Sequence, residues 1–221
     1  LSRGHRRSVR WGPLIEARCG DQRVVAEVIE RYRIEAVLHF AAFAYVGEST
    51  ASPLTYYENN VVQTCHLLAA MRDGGVRRMV LSSSCSTYGE PVCTPIPETH
   101  PQNPLSPYGE SKLIAEKMVG WLGRAEGLQW VALRYFNAAG ADPDGELGED
   151  HDPEPHLIPR AILASERGEP LDIFGAEYPT ADGTALRDYV HVTDLADAHV
   201  RALEYLESGG ASLAMNLGAG S

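Results

Sequence analysis

Hydrophobic and polar positions follow two alternating patterns along most of the chain. Short apolar runs at 36–40, 79–83 and 130–134 predict buried strands. Segments 21–33 and 53–72 instead carry apolar residues at the spacing of amphipathic helices. Since strands that alternate with helices favour a parallel sheet with right-handed crossovers, the pattern predicts an α/β fold with a doubly wound sheet.

Elements of the same two kinds are predicted over the rest of the chain. A helix is expected from Pro107 to Gly127, because proline suits the first turn of a helix and glycine suits its end. Segment 141–155 is acidic and rich in proline, glycine and aspartate, and therefore predicts a loop. The remaining predicted elements are strands at 14–16, 171–174, 187–192 and 212–217, and helices at 157–167 and 192–206.

Tyr108 and Lys112 form the most informative pair in the sequence. The chain has ten tyrosines but only two lysines, Lys112 and Lys117, so this spacing is not expected by chance. Residues four apart on a helix share a face, which places the phenol beside the ammonium. A nearby cation lowers a tyrosine pKa from about 10 and makes a general base usable at neutral pH. An ordinary amphipathic helix with a chance pair is the alternative.

A cluster of serines follows the predicted strand at 79–83. Ser84 stands at the end of that strand, and strand ends of this kind face the crevice in which open parallel sheets bind ligands. We therefore expect Ser84 to share a hydrogen bond with Tyr108 and a substrate hydroxyl. Serines after a strand can also simply form a turn, but a turn does not account for their place ahead of the Tyr108/Lys112 pair.

Composition narrows the class of protein. At 221 residues and 44% hydrophobic residues the chain can bury a core, and no apolar run approaches the length of a membrane span. The net charge of −11 argues against nucleic acid or an anionic membrane as partner. No Cys-x-x-Cys or His-x-x-x-His spacing occurs, so we expect reduced thiols and no metal site.

Several motifs resemble a known family. Ser84, Tyr108 and Lys112 resemble the catalytic triad of the extended short-chain dehydrogenases/reductases. Further runs resemble the UDP-glucose 4-epimerases within that family, in the same order along the whole chain, and the last run is far more specific than the triad. These runs are His39-Phe40-Ala41-Ala42, Val46-Gly47-Glu48-Ser49, Tyr56-Tyr57-Glu58-Asn59-Asn60-Val61, 133–140 (LRYFNAAG) and 182–192 (DGTALRDYVHV).

The resemblance implies a fold, a cofactor and a reaction. The fold would be a Rossmann-like, incomplete doubly wound sheet, with 1–136 as a partial NAD-binding domain and 137–221 as part of a smaller UDP-sugar-binding domain. NAD would accept a hydride from C4 of the hexose while Tyr108 takes the C4 hydroxyl proton, which interconverts UDP-glucose and UDP-galactose. Lys112 would lower the pKa of Tyr108 and bond the nicotinamide ribose. The protein would be cytoplasmic and, when full length, a homodimer.

The resemblance also assigns binding residues. Those expected to contact the cofactor are Cys19, Phe40, Ala41, Ala42, Ala44, Asn59, Ser84, Tyr108, Lys112 and Phe136. Those expected to contact the UDP-sugar are Ser84, Tyr108, Asn137, Leu157, Ile173, Phe174 and Arg187. The guanidinium of Arg187 would clamp the pyrophosphate, because its planar fork fits two phosphate oxygens.

Structural roles stay open for some of these residues. Asn59 can be a helix asparagine bonded to nearby backbone. Phe136 and Phe174 can belong to the core, and Arg187 can form an ion pair with Asp188.

The sequence departs from the family pattern in three ways. Arg18-Cys19 stands where the family usually has an acidic and then a hydrophobic residue against adenine, and arginine cannot accept a hydrogen bond from the adenine amino group. Ala44 stands where some members have a lysine. The chain also resembles a fragment without the family's N-terminal glycine-rich loop and C-terminal part, and its only Gly-x-Gly, at 218–220, matches a late loop.

Three other functions stay open. UDP-arabinose 4-epimerases share nearly every motif. A nucleotide-sugar 4,6-dehydratase is disfavoured, because it would carry an Asp-Glu pair just past Ser84, where this chain has Cys85-Ser86. A non-catalytic dinucleotide-binding protein would be expected to have lost Tyr108 or Lys112.

Overall fold

The computed structural model describes residues 1–173 and 175–219. Its strands are β1 Ala36–His39, β2 Arg78–Ser84, β3 Gln129–Tyr135, β4 Asn137–Ala139, β5 Tyr189–His191 and β6 Leu213–Leu217. Its helices are α1 Gln22–Tyr32, α2 Val46–Ala51, α3 Pro53–Tyr56, α4 Gln63–Asp73, α5 Pro107–Glu126, α6 Leu157–Arg167 and α7 Val192–Glu207. No helix in these ranges is long and apolar enough to cross a membrane.

The chain divides into two compact units. The larger unit holds Glu16–Phe136 and Ala196–Leu217, and the smaller holds Leu1–Ile15, Asn137–Leu195 and the residues from Gly218. This division rests on contacts between residues of the chain and does not test which unit binds the cofactor or the substrate. The domain boundary expected at 136/137, with its assignment of cofactor binding to one side and substrate binding to the other, therefore stays a prediction.

A parallel sheet of four strands, in the order β1-β2-β3-β6, forms the centre of the larger unit. Side chains alternate between its faces. Met79 and Leu81 of β2 pack in one core with apolar residues of α1, α4 and α5, whereas Val80 packs in a second core with Ala202 and Leu206 of α7. Helices on both faces of a parallel sheet confirm the predicted α/β fold.

Helix α5 begins and ends where its sequence requires. The Ser106 side chain accepts a hydrogen bond from the Gly109 backbone N–H at 3.2 Å, and Pro107 occupies the first turn. Gly127 takes a left-handed conformation with φ of 73°, which glycine adopts without steric cost and which ends the helix. The chain is thereby directed into β3, and Tyr108 and Lys112 are carried past the end of β2.

The smaller unit is built around a short parallel pair, β4 with β5, and helix α6. Helix α6 begins after His156 and ends at Gly168, which has φ of 65°. The first and last residues of α6, Leu157 and Arg167, are those predicted from the sequence.

Three sequence expectations about elements are corrected by the structure. Segments 14–16 and 171–173 are loops, not strands, and Phe174 lies outside the described residues. A strand exists only with a ladder partner, which a short apolar run does not specify. The expected continuous helix at 53–72 contains a π-helical turn, Tyr57–Val62, between α3 and α4. Turns of this kind often occur at functional sites.

Candidate active site

Three of the predicted residues come together at the carboxyl end of β2. Ser84 is the last residue of β2, and its side chain lies beside that of Tyr108 in the first turn of α5, close enough to lower the Tyr108 pKa. Lys112 lies one turn further along α5. Its Nζ donates to the Ser82 carbonyl oxygen at 2.7 Å and lies 5.9 Å from the centre of the Tyr108 ring. All three side chains are buried.

Burial has opposite consequences for the phenol and the ammonium. It raises the pKa of Tyr108 to about 12, although the hydrogen bond from Ser84 lowers it. It lowers the pKa of Lys112 to about 8, although the Glu116 carboxylate raises it. The expected lowering of the Tyr108 pKa is therefore wrong for the protein residues taken alone, since desolvation of the phenolate is the largest effect and raises the pKa.

His39, at the end of β1, is a buried neutral group beside this cluster. Its Nε2 lies 2.9 Å from Oγ1 of Thr64, and that hydroxyl donates to the Asn60 carbonyl oxygen at 2.6 Å. Because the hydroxyl proton is used there, Nε2 must carry the proton that it donates to Thr64. Burial, together with the charge of Lys112, lowers the pKa of His39 to about 4. The imidazole is therefore uncharged at neutral pH.

A buried ion pair holds α5 against the sheet. Glu116, one turn after Lys112, accepts from Nε and Nη2 of Arg134 on β3 at 2.9 and 2.6 Å, and both side chains are almost fully buried. The Ser83 hydroxyl donates to the same carboxylate, and Gln102 Nε2 donates to it at 3.1 Å. Since Ser83 precedes Ser84, this carboxylate links the helix that carries Tyr108 to the strand that carries Ser84.

A single asparagine fixes the loop after β1. Asn60 accepts from the Phe43 backbone N–H at 2.8 Å, donates to the Phe43 carbonyl oxygen at 3.0 Å and donates to Ser111 Oγ at 3.0 Å. Sequence reasoning selected its neighbour Asn59, whose amide donates to Asn60 Oδ1 at 3.0 Å. The local sequence gives no signal for Asn60, because its partner Phe43 lies 17 residues away along the chain.

The other residues predicted to contact the cofactor occupy several parts of the larger unit. Phe40 is 53% exposed, and its ring centre lies 4.4 Å from that of His199 on α7. Ala41 and Ala44 are exposed, and Ala42 is half-buried. Cys19 is half-buried, and burial raises the pKa of its thiol. Phe136 follows β3 and is half-buried. Their cofactor contacts stay predictions.

The predicted substrate contacts of the smaller unit are mostly exposed. The Asn137 amide donates to the Asp188 carbonyl oxygen at 2.8 Å. Arg187 is exposed and donates to the carbonyl oxygen of its neighbour Leu186 at 2.9 Å, while the Asp188 carboxylate accepts from the Ala219 backbone N–H. Leu157 is 52% and Ile173 73% exposed. Their roles in substrate binding also stay predictions.

Comparison with known proteins agrees with this geometry. The NAD dependent epimerase/dehydratase family matches residues 2–218. The chain is 50% identical over 222 residues to a UDP-glucose 4-epimerase of Rhizobium leguminosarum bv. trifolii, covering 100% of this chain and 68% of that protein. A UDP-glucose 4-epimerase of Lacticaseibacillus casei is 49% identical, with 99% of this chain and 66% of that protein covered.

Solved structures give the same result. The crystal structure of UDP-glucose 4-epimerase from Brucella ovis in complex with NAD superposes with a TM-score of 0.96 at 54% identity, over 100% of this chain and 68% of that one. The Bifidobacterium longum enzyme in complex with NAD⁺ and UDP superposes with a TM-score of 0.84 at 36% identity, over 94% of this chain and 63% of that one. This chain belongs to the NAD dependent epimerase/dehydratase family, and NAD is its cofactor.

Proposed function

We propose that this chain carries the proton-transfer residues of a UDP-glucose 4-epimerase, which inverts C4 of the sugar by transient oxidation. The observation that carries the proposal is the grouping of the Ser84, Tyr108 and Lys112 side chains, all buried, at the carboxyl end of a parallel strand. Ligands bind at this edge in open α/β sheets. The relatives at about half identity over the full chain are UDP-glucose 4-epimerases, which supports the same reaction.

Each of the three side chains has a role that follows from its contacts. Tyr108 would hold or release the proton of the C4 hydroxyl, and Ser84 would bridge that hydroxyl to the phenol. Lys112 has three N–H donors. The acceptor that the described residues provide for it is the Ser82 carbonyl oxygen. Two donors are left for a ribose diol, so the buried ammonium fits a dinucleotide.

NAD⁺, when bound, would supply the hydride acceptor and a positive charge, and such a charge beside Tyr108 would lower the pKa that burial raises. The protein residues alone hold Tyr108 as a neutral phenol. We therefore infer that Tyr108 becomes a proton acceptor when the oxidised cofactor is bound. Such coupling restricts proton removal to the state in which the hydride also has an acceptor.

The residues after Ser84 favour epimerisation over dehydration. They form a short turn, Cys85–Thr87, in which the Ser86 backbone N–H donates to Ser84 Oγ at 3.2 Å. Elimination of water from a 4-ketosugar requires an additional acid and base, and this turn offers a thiol and two hydroxyls in place of carboxylates.

The identity of the sugar nucleotide formed distinguishes epimerisation from dehydration. We expect the protein, supplied with NAD⁺ and UDP-galactose, to form UDP-glucose, detected by a coupled UDP-glucose dehydrogenase assay and by chromatography of the nucleotide sugars. UDP-arabinose, tested in parallel, measures preference for the pentose. A dehydrated 4-keto-6-deoxy product, or no turnover of either sugar, would contradict the proposal.

We also propose a cytoplasmic homodimer. Trp121 on α5 is 66% exposed and carries the Arg124 guanidinium 4.2 Å from its ring centre, as expected of an aromatic contact residue. All four cysteines are free thiols, as expected in a reducing compartment. Light scattering after gel filtration is expected to give twice the chain mass, and a monomer for Trp121→Glu.

A further inference from the structure

We propose that Glu149, His151, Glu154 and His156 form a binding site for one divalent transition-metal ion, with zinc as the preferred metal. The four residues lie in the loop that leads into α6, within the smaller unit. None of them belongs to the residues assigned above to NAD or to the sugar. Each offers one ligand atom, and these four atoms all lie within 4.8 Å of one another.

Within the cluster, ring nitrogens of both histidines lie close to carboxylate oxygens. His156 Nδ1 lies 2.5 Å from Oε1 of Glu149 and 2.8 Å from Oε1 of Glu154. His151 Nε2 lies 3.9 Å from the same Glu149 oxygen. The two imidazole centres are 5.0 Å apart. Nitrogen atoms of both imidazoles therefore lie within 4 Å of one carboxylate oxygen.

This donor set fits zinc. Zinc binds imidazole nitrogen and carboxylate oxygen at about 2.0–2.2 Å, and structural zinc sites use four protein ligands in a tetrahedron. At these bond lengths neighbouring ligand atoms are about 3.3 Å apart. The distances of 2.5, 2.8 and 3.9 Å in the cluster bracket that value. Mixed imidazole and carboxylate ligands also disfavour magnesium and calcium, which prefer oxygen alone.

The charge of the cluster also favours a divalent cation. Glu149 and Glu154 bring two carboxylates to the cluster, and a divalent cation would balance their negative charge. The metal-free alternative is a set of hydrogen bonds and ion pairs between the two histidines and the carboxylates of Glu149 and Glu154.

The place of the cluster in the fold indicates a structural role. His156 immediately precedes α6, and α6 has no fully buried residue of its own. A metal bridge from Glu149 to His156 would hold the start of α6, including Leu157, in place of a hydrophobic core. The expectation of no metal rested on histidines at helical spacing. A loop with the pattern Glu-x-His-x-x-Glu-x-His provides the same ligands without that spacing.

Zinc content tests the proposal. The tag-free protein would be stripped with a chelator, reloaded with zinc, separated by gel filtration and analysed by elemental mass spectrometry. We expect about one zinc per chain. In the double variant His151→Gln/His156→Gln the zinc affinity, from competition with a chromogenic chelator, should fall more than about 100-fold. The matched control is His66→Gln, an exposed histidine on α4, which should bind zinc like the unmodified protein.

Cobalt provides a second measurement on the unmodified protein, independent of whether the variants fold. Stoichiometric Co²⁺ should give the intense visible absorption of a four-coordinate ion, and zinc should abolish it. Failure of the unmodified protein to retain zinc, equal zinc retention in the double variant, or the weak spectrum of hydrated Co²⁺ would each overturn the proposal.

Discussion

At the scale of single residues, burial decides which groups near Ser84 are charged. Tyr108 and His39 are both held neutral at pH 7 by desolvation, and Lys112 is the cation of the cluster, with its own pKa reduced to about 8. The Tyr108/Lys112 spacing correctly predicted that the two groups meet. It could not predict the pKa of Tyr108, because burial depends on residues distant in sequence.

His39 should contribute an acid-sensitive part of the stability. Its folded pKa of about 4 lies below its unfolded value of 6.5, so the unfolded chain binds more protons between these pH values. The free energy of unfolding should therefore be undiminished above pH 6.5 and fall as the pH drops toward 4, by up to about 3 kcal/mol from this group. The variant His39→Gln keeps a hydrogen-bond donor for Thr64 and should remove this pH-dependent contribution to the free energy of unfolding.

Urea unfolding at pH 7 and at pH 4.5 measures the effect. The His39→Gln variant should lose less stability between the two pH values than the unmodified protein does. The exposed His66→Gln variant serves as control and should behave like the unmodified protein. An equal pH dependence in all three proteins would refute the assignment of a neutral buried imidazole.

At the scale of elements, the link between α5 and the sheet depends on Glu116. Removing its charge leaves Arg134 buried without a counter-ion, which typically costs about 3–5 kcal/mol. We therefore expect Glu116→Gln to lower the free energy of unfolding by about that amount. Glu126→Gln, at the exposed end of the same helix, is the matched control and should change it by less than about 0.5 kcal/mol. Similar losses in both variants, measured by urea unfolding, would contradict the proposed link.

Elements were predictable where local signals were sufficient. Ser106-Pro107 and Gly127 define the ends of α5, and Gly168 ends α6, so both helices were correctly placed. The strand expected at 14–16 was wrong, because strand formation requires a partner that the local sequence does not reveal. Glu116 and Asn60 were missed for a related reason. Their partners, Arg134 and Phe43, are distant along the chain.

At the scale of the whole molecule, the family and the fold class were both predictable from ordered motifs. The run 182–192 and the triad together led to the epimerases, and relatives at about half identity confirm the family. The chain spans 68% of the length of the Rhizobium and Brucella proteins. The loop cluster at Glu149–His156 was not predicted, because its ligands follow no periodic pattern.

The central claim is that Tyr108 exchanges the C4 proton, and the turnover of Tyr108→Phe tests it most directly. The substitution keeps the ring but removes the hydroxyl, whose pKa the Ser84 side chain lowers. The account predicts a kcat for UDP-galactose epimerisation lower by about 10²–10⁴-fold, as expected for loss of a general base, with UDP binding unchanged by calorimetry. The matched control Tyr32→Phe, on the surface of α1, should turn over normally. Turnover of Tyr108→Phe within a few-fold of the unmodified protein would contradict the account.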